Sequence, residues 1–156
     1  MPVEELRFAC DAMLGRLARW LRFAGFDTTF LPDTPDPAVA GQARAEGRWL
    51  LTRDRRLAAA AGPRVVLLRG RTVGEQVAEL RARLPMEARP EQFFTRCSCC
   101  NGSLAEVPRE AVQGKVPPFV AVHASRFLAC PGCGRVYWRG THPARIARTL
   151  QEWFLL

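Results

Sequence analysis

Leu6-Arg7-Phe8-Ala9-Cys10-Asp11-Ala12-Met13-Leu14-Gly15-Arg16-Leu17-Ala18-Arg19-Trp20-Leu21-Arg22-Phe23-Ala24-Gly25 carries three signals in one passage. Residues 6–10 are a short apolar run that reads as a strand, and Asp11 closes it. Over 12–24 the residues Met13, Leu14, Leu17, Ala18, Leu21 and Ala24 recur on one helical face, while Arg16, Arg19 and Arg22 lie away from it. Gly25 supplies a left-handed helix stop. A strand feeding an amphipathic helix is the first half of a β-α-β unit.

The same alternation continues downstream. Residues 26–31 form a second extended run, followed by the turn Pro32-Asp33-Thr34-Pro35-Asp36-Pro37. Asp36 before Pro37 reads as a helix cap with a first-turn proline, predicting a helix over 37–46 that ends at Gly47. Residues 49–52 read as a buried strand, with Asp54 before a helix over 55–61 that Gly62-Pro63 terminates. A strand over 65–68, the loop Arg69-Gly70-Arg71 and a helix over 72–84 with the stripe Val73, Val77, Leu80 and Leu84 complete the series. Four strands alternating with helices predict an α/β fold with a parallel sheet and flanking helices.

In a parallel sheet the strands all leave at one edge, where open α/β sheets build their sites. Asp11 and Asp54 stand at such exits, and Asp33 and Asp36 follow the second strand to the same edge. Carboxylates gathered in this way repel unless a divalent cation screens them, and Mg2+ or Mn2+ suits oxygen ligands and phosphodiester hydrolysis. Asp11, Asp36 and Asp54 each also precede a helix, so each can serve as a cap, a role compatible with metal ligation. Asp27 and Glu46 fall at the opposite edge. Arg53, Arg55, Arg56, Arg69 and Arg71 lie on the carboxylate edge, where they can hold phosphates or remain solvated charges.

The second half of the chain is marked by cysteine. Cys97 with Cys100 and Cys130 with Cys133 form two C-x2-C pairs, the ligand set of one tetrahedral zinc site. Glycine follows each pair closely, in Cys100-Asn101-Gly102 and Cys133-Gly134, where a tight knuckle needs a positive φ. The 29 residues between the pairs leave room for an inserted loop containing Pro117-Pro118. Cys99 can compete as a ligand, and buried or disulfide-bonded cysteines are the other reading. A final helix over 144–156 presents Ile146, Leu150, Trp153 and Phe154 to one of the two cores. The expected division is residues 1–88 for the α/β domain and 89–156 for the ribbon with its helix.

At 156 residues and 48% hydrophobic, the chain can bury one substantial core plus a small satellite. It contains no run of about 20 apolar residues that would span a membrane. Met1-Pro2-Val3-Glu4-Glu5 lacks the basic-then-apolar order of a secretion signal, so a cytoplasmic protein is expected, and the spare thiols Cys10 and Cys99 fit a reducing compartment. The formal charge is +8, and 22 of the 23 basic residues are arginine. A planar guanidinium suits phosphate recognition, although an Ala-, Arg-, Gly- and Pro-rich composition also favours arginine generally.

Taken in order, residues 11–22, Gly25-Phe26-Asp27-Thr28, Leu50-Leu51-Thr52-Arg53-Asp54, Arg96-Cys97 through Cys100-Asn101-Gly102, and Cys130-Pro131-Gly132-Cys133 through Tyr137-Trp138-Arg139-Gly140-Thr141-His142 resemble the Mut-seven C-terminal domain family over nearly the whole chain. The resemblance implies a PIN-like ribonuclease domain with a zinc ribbon attached. By that likeness Asp11, Asp36 and Asp54 are the acidic residues holding catalytic Mg2+ or Mn2+, and Cys97, Cys100, Cys130 and Cys133 hold structural Zn2+. The sequence departs from the pattern where residues 121–125 lack an acidic residue and where Cys99 adds a thiol.

The leading expectation is therefore a metal-dependent ribonuclease acting on RNA, in the single-stranded form that aromatic side chains can stack on. Arg16, Arg53, Arg69, Arg71 and Arg139 are the candidate RNA contacts, with Arg126, Arg135 and Arg145 and the rings of Phe127, Tyr137 and Trp138 available on the ribbon. Core packing is the alternative role for those rings. A non-catalytic RNA-binding module with capping aspartates is the second reading. A hydrolase of small phosphoesters is a third, weakened by the lack of a glycine-rich phosphate loop. His142 reads as a cap, a zinc neighbour or a surface residue, and His123 is surplus to a complete cysteine tetrahedron.

Overall fold

A computed structural model describes residues 5–156, with the side chains of Thr141 and His142 outside the description. The readings of residues 1–4 and of the His142 side chain lie outside the described residues. Eight elements alternate through the first half: β1 (Phe8–Cys10), α1 (Gly15–Phe23), β2 (Thr28–Phe30), α2 (Asp36–Ala45), β3 (Trp49–Thr52), α3 (Arg55–Ala60), β4 (Val65–Leu67) and α4 (Val73–Arg83). The strands form one parallel sheet in the order β2-β1-β3-β4.

Strand alternation sends side chains to opposite faces, and each face has its own core. Phe8, Cys10, Leu51 and Val66 join Leu17 and Leu21 of α1 and Val77 and Leu80 of α4. Ala9 and Leu50 face the other way, against Val39, Ala40 and Ala43 of α2 and Leu57 of α3. Truncating a fully buried side chain such as Leu21 or Leu80 to alanine costs about 2–5 kcal/mol.

α1 begins at Gly15, three residues later than the apolar periodicity predicts. Residues 12–14 instead form a turn, with Leu14 N–H donating to Asp11 O at 3.1 Å. The helix stops as expected: Gly25 takes φ +97°, and the N–H groups of Gly25 and Phe26 close on the carbonyls of Arg22 and Leu21. Gly47, at φ +67°, ends α2 by the same double closure onto Arg44 and Ala43.

Arg22 departs from the sequence reading. It is only 6% exposed, because its guanidinium turns under the ribbon and donates to the carbonyls of Thr28, Ser98 and Cys99. Helical periodicity assigns the position to a polar face, and the ribbon covers that face.

The ribbon is a three-stranded antiparallel sheet of β5 (Ala105–Val107), β6 (Phe127–Ala129) and β7 (Val136–Trp138). The segment between the cysteine pairs is more than a loop. It contains β5, a 3-10 turn at Arg109–Val112 and the short helix α5 (Pro118–His123), which enclose a small core of Val112, Val116, Ala121 and Phe127. α6 (Thr141–Phe154) leaves the ribbon and lays Ile146, Leu150 and Phe154 into the first core, beside α1 and α4.

Candidate active site and cysteine tetrad

Each strand of the sheet is only three or four residues long, so the residue after each strand falls on the rim. The order β2-β1-β3-β4 reverses direction between β1 and β3, which is the crevice where open α/β sheets bind ligands. Asp11 follows β1 and Asp54 lies two residues beyond β3, so the two aspartates flank that crevice.

One hydroxyl joins them. Thr52, the fully buried last residue of β3, donates from Oγ1 to Asp11 Oδ2 at 2.5 Å, and the same oxygen accepts Asp54 N–H at 2.9 Å. Asp11 is 3% exposed, and its Oδ1 accepts Met13 N–H at 2.9 Å. Asp11 therefore organises the turn before α1 without capping the helix, whose N-cap is Leu14. Asp54 Oδ1 caps α3, accepting the N–H groups of Arg56 and Leu57 at 2.8 and 3.2 Å.

Asp36 behaves differently from its expected role. Pro35 occupies the N-cap of α2, and Asp36 is an exposed first-turn residue with no capping hydrogen bond. The donors that a cap at 36 would need, the N–H groups of Ala38 and Val39, both close on Pro35 O at 2.9 and 3.1 Å, so the helix starts one position earlier. Among the described residues, Asp11, Asp36 and Asp54 do not bring three ligand oxygens within 4.8 Å of one another. Asp11 and Asp54 are connected through Thr52, and Asp36 stands off on the neighbouring strand exit.

Thr52 was not identifiable as a site residue from the pattern. Its signal is a hydroxyl ending an otherwise apolar strand two residues before an aspartate. Two further acids on this edge serve the loop after β4: Glu79 accepts the N–H groups of Arg69 and Gly70, and Glu75 accepts those of Arg71 and Thr72. These backbone bonds hold the Glu75 carboxyl below the usual carboxylate range. Gly70 is required by closeness, since a Cβ there would meet Glu75 Cβ at 2.7 Å and Glu79 Oε1 at 2.8 Å. The side chains of Arg53, Arg69 and Arg71 are exposed on the same edge, and Arg16 is exposed in the first turn of α1.

The donor set at the crevice fits a hard cation. Asp11 is a buried carboxylate whose partners are neutral, and among the described residues no guanidinium pairs with it. Among the described residues, none donates a hydrogen bond to Asp54 Oδ2. All the available ligands are oxygens, the chemistry of Mg2+ and Mn2+ sites.

The cysteine tetrad is far more compact. The Sγ atoms of Cys97, Cys100, Cys130 and Cys133 all lie within 4.8 Å of one another, with Cys97 to Cys133 at 3.6 Å and Cys100 to Cys130 at 3.3 Å. Sulfurs around a tetrahedral zinc with bonds of about 2.3 Å stand about 3.8 Å apart, so the set fits Zn2+. Cys99 points out of the tetrad and is exposed.

The two knuckles match in backbone form. Asn101 N–H donates to Cys97 O and Gly134 N–H to Cys130 O, with φ of +74° and +78°. The left-handed residue in the first knuckle is thus Asn101, not Gly102. Gly102 is needed for space, because a Cβ there would fall 2.9 Å from Cys130 Sγ. Burial alone would raise the Cys97 thiol, but hydrogen bonds from the Tyr137 hydroxyl and the N–H groups of Cys100 and Cys99 outweigh it, and its pKa falls to about 6. That thiol is set up to ligate as thiolate.

The ribbon aromatics are mostly committed to packing. Phe127 lies in the small core, and Tyr137 OH is 3.0 Å from Cys97 Sγ and 3.3 Å from Ser98 Oγ. Trp138 packs against the same core, and Arg139 is exposed just beyond β7.

A family model described as Mut7-C RNAse domain matches residues 6–150, from the strand that carries Asp11 to the helix that closes the first core. The chain belongs to the Mut7-C RNase domain family. Among curated proteins, none matches the chain. Membership in the Mut7-C family gives an RNase-type domain with RNA as its substrate class, and the parallel sheet with a four-cysteine module is consistent with a PIN-like fold plus zinc ribbon.

Proposed function

We propose that this Mut7-C chain is a metal-dependent ribonuclease whose reaction centre is the crevice between β1 and β3. The observation that carries the reading is the linkage of Asp11 and Asp54 through Thr52 Oγ1 at the topological switch point of the sheet. Asp11 and Asp54 would hold Mg2+ or Mn2+, with Asp36 contributing from the exit of β2. A cation held there would supply Lewis-acid polarisation of the phosphate and lower the pKa of a water.

The remaining work falls to the chain itself. Thr52 fixes the direction of the Asp11 carboxylate, and the α3 cap fixes Asp54 with one oxygen left outward. Arg16, Arg53, Arg69 and Arg71 on the same edge hold the phosphates of single-stranded RNA, and Arg139 extends the basic surface onto the ribbon. The tetrad holds structural Zn2+. A cytoplasmic, reducing setting is part of the proposal, supported by six cysteines free of disulfides. Among the described residues, no helix is long and apolar enough to cross a membrane.

The binding-only alternative, with aspartates as caps, is favoured by one residue, since Asp54 does cap α3. Asp11 and Asp36 cap no helix, so that reading accounts for only one of the three aspartates as a cap. Incubating the purified protein with labelled single-stranded RNA and Mn2+ tests the proposal. Cleavage is expected to require the ion and to be lost in Asp54→Asn; cleavage that persists in that variant, or without a divalent ion, overturns the assignment.

A further inference from the structure

A cleft of about 250 Å³ lies between α1 and α6, lined by Arg16, Arg19, Trp20, Phe23 and Ile146. It begins beside the candidate centre, because α1 starts four residues after Asp11, and it runs along α1 for about 10 Å at 1.5 Å per residue from Arg16 to Phe23.

Its walls are fixed. Trp20 packs edge-on against Trp153 at 4.8 Å and against Phe23 at 5.5 Å. Trp153 is wedged in turn against Gly74 of α4, where an added Cβ would stand 3.0 Å from the indole nitrogen. Arg19 sits over the Phe23 ring at 5.4 Å. An aromatic surface held in place from behind loses little freedom when a second ring stacks on it.

The charge around the cleft is one-sided. The exposed side chains of α1 and α6 include Arg16, Arg19, Arg145 and Arg148 against a single acid, Glu152. Among the described residues, neither Arg16 nor Arg19 has a carboxylate within ion-pair distance. Guanidiniums one helical turn apart and left unneutralised beside an indole complement a ligand that alternates phosphate with aromatic rings.

We propose that this cleft is a nucleotide subsite in which an unpaired RNA base lies against Trp20 and the adjoining phosphates are held by Arg16 and Arg19, leading the strand to the β1–β3 crevice. The inference rests on the reading of that crevice as the cleavage centre. Arg16 is already among the candidate RNA contacts; Trp20 and Arg19 come from the cleft.

The test uses the full chain in an Asp54→Asn background, so that binding is read without turnover. Fluorescence anisotropy of a labelled oligouridylate is followed as salt is raised, with and without Arg16→Gln and Arg19→Gln. Loss of two phosphate contacts on a single strand lowers the log–log salt slope by about 1.4 and weakens binding at low salt by roughly tenfold. Both arginines are exposed, so the thermal midpoint is expected to stay fixed. Cross-linking with 4-thiouridine RNA followed by trypsin is expected to label Trp20-Leu21-Arg22. An unchanged slope and affinity, cross-links confined to the ribbon, or no RNA binding by the parent protein each overturn the subsite. Cleavage by the Asp54→Asn parent would instead remove the crevice reading while leaving the arginine result in place.

Discussion

Asn101 of the first knuckle closes on Asp27 at the start of β2: its Nδ2 donates to Asp27 Oδ1 at 2.7 Å while its Oδ1 accepts Thr28 N–H at 2.9 Å. One amide thus ties the cysteine module to the sheet through two strong contacts. Arg48 and Arg96 complete the joint, at 2.7 and 3.9 Å from the Asp27 carboxylate.

Asn101→Ala should therefore destabilise the protein by about 2 kcal/mol, since it strands the partners of two hydrogen bonds and places alanine at a left-handed φ. For a domain of this size the thermal midpoint is expected to fall by roughly 5 °C. A midpoint within error of the parent would show that the joint adds no stability.

The same joint sets a pH dependence. Burial pushes the Asp27 carboxyl up, but the hydrogen bonds from Arg48 and Asn101 and the charges of Arg48 and Arg96 outweigh it and hold the carboxyl below its usual range. A depressed folded-state pKa contributes stability above the unfolded value of about 3.9 and loses it as pH falls through the folded value. Asp27→Asn should thus be less stable than wild type near neutrality, with the gap closing in acid. Parallel denaturation curves from neutral pH down to acid check the convergence; a constant gap would contradict it.

Thr52→Val keeps the shape of the side chain and deletes the hydroxyl between the two aspartates. RNA cleavage with Mn2+ is expected to fall on the order of 100-fold, because misplacing a reacting group by about 1 Å has that effect. Circular dichroism should remain that of the parent. Full activity in the valine variant would detach the Thr52 bridge from the reaction.

Thiol titration should report the state of the tetrad. Cys99 is exposed and outside the cluster, so the zinc-loaded protein is expected to show one fast-reacting thiol. A strong chelator should release the four ligands and lower the thermal midpoint. Cys10 is buried, and burial pushes its thiol far up, with the Asp11 charge acting in the same direction, so it should react only on unfolding. Metal analysis should return one zinc per chain; rapid reaction of all the exposed thiols before chelation would contradict a filled site.

Much of this fold is legible in single residues. Gly25 and Gly47 mark helix ends because each must adopt a positive φ, and the apolar run 49–52 coincides with β3 because both its faces are covered. The four-cysteine set is legible because its spacing is local. What escapes the pattern is contact between distant segments. Arg22 reads as surface until the ribbon folds over it, and Thr52 becomes meaningful only when β1 and β3 are paired. Asp36 reads as a cap because Asp-Pro favours a helix start, yet the N–H groups of Ala38 and Val39 that such a cap requires are taken by the carbonyl of Pro35.

The chain leaves the first core at Phe94 and comes back to it at Ile146. During synthesis on a ribosome, Leu17, Leu21, Val77 and Leu80 must wait for Ile146, Leu150 and Phe154 to emerge before their apolar surface is covered. Maturation of the α/β layer is therefore tied to completion of the segment that carries the cysteines, and a transcript cut short within that segment would leave a protein with its β1–β3 crevice encoded but its main core open to water.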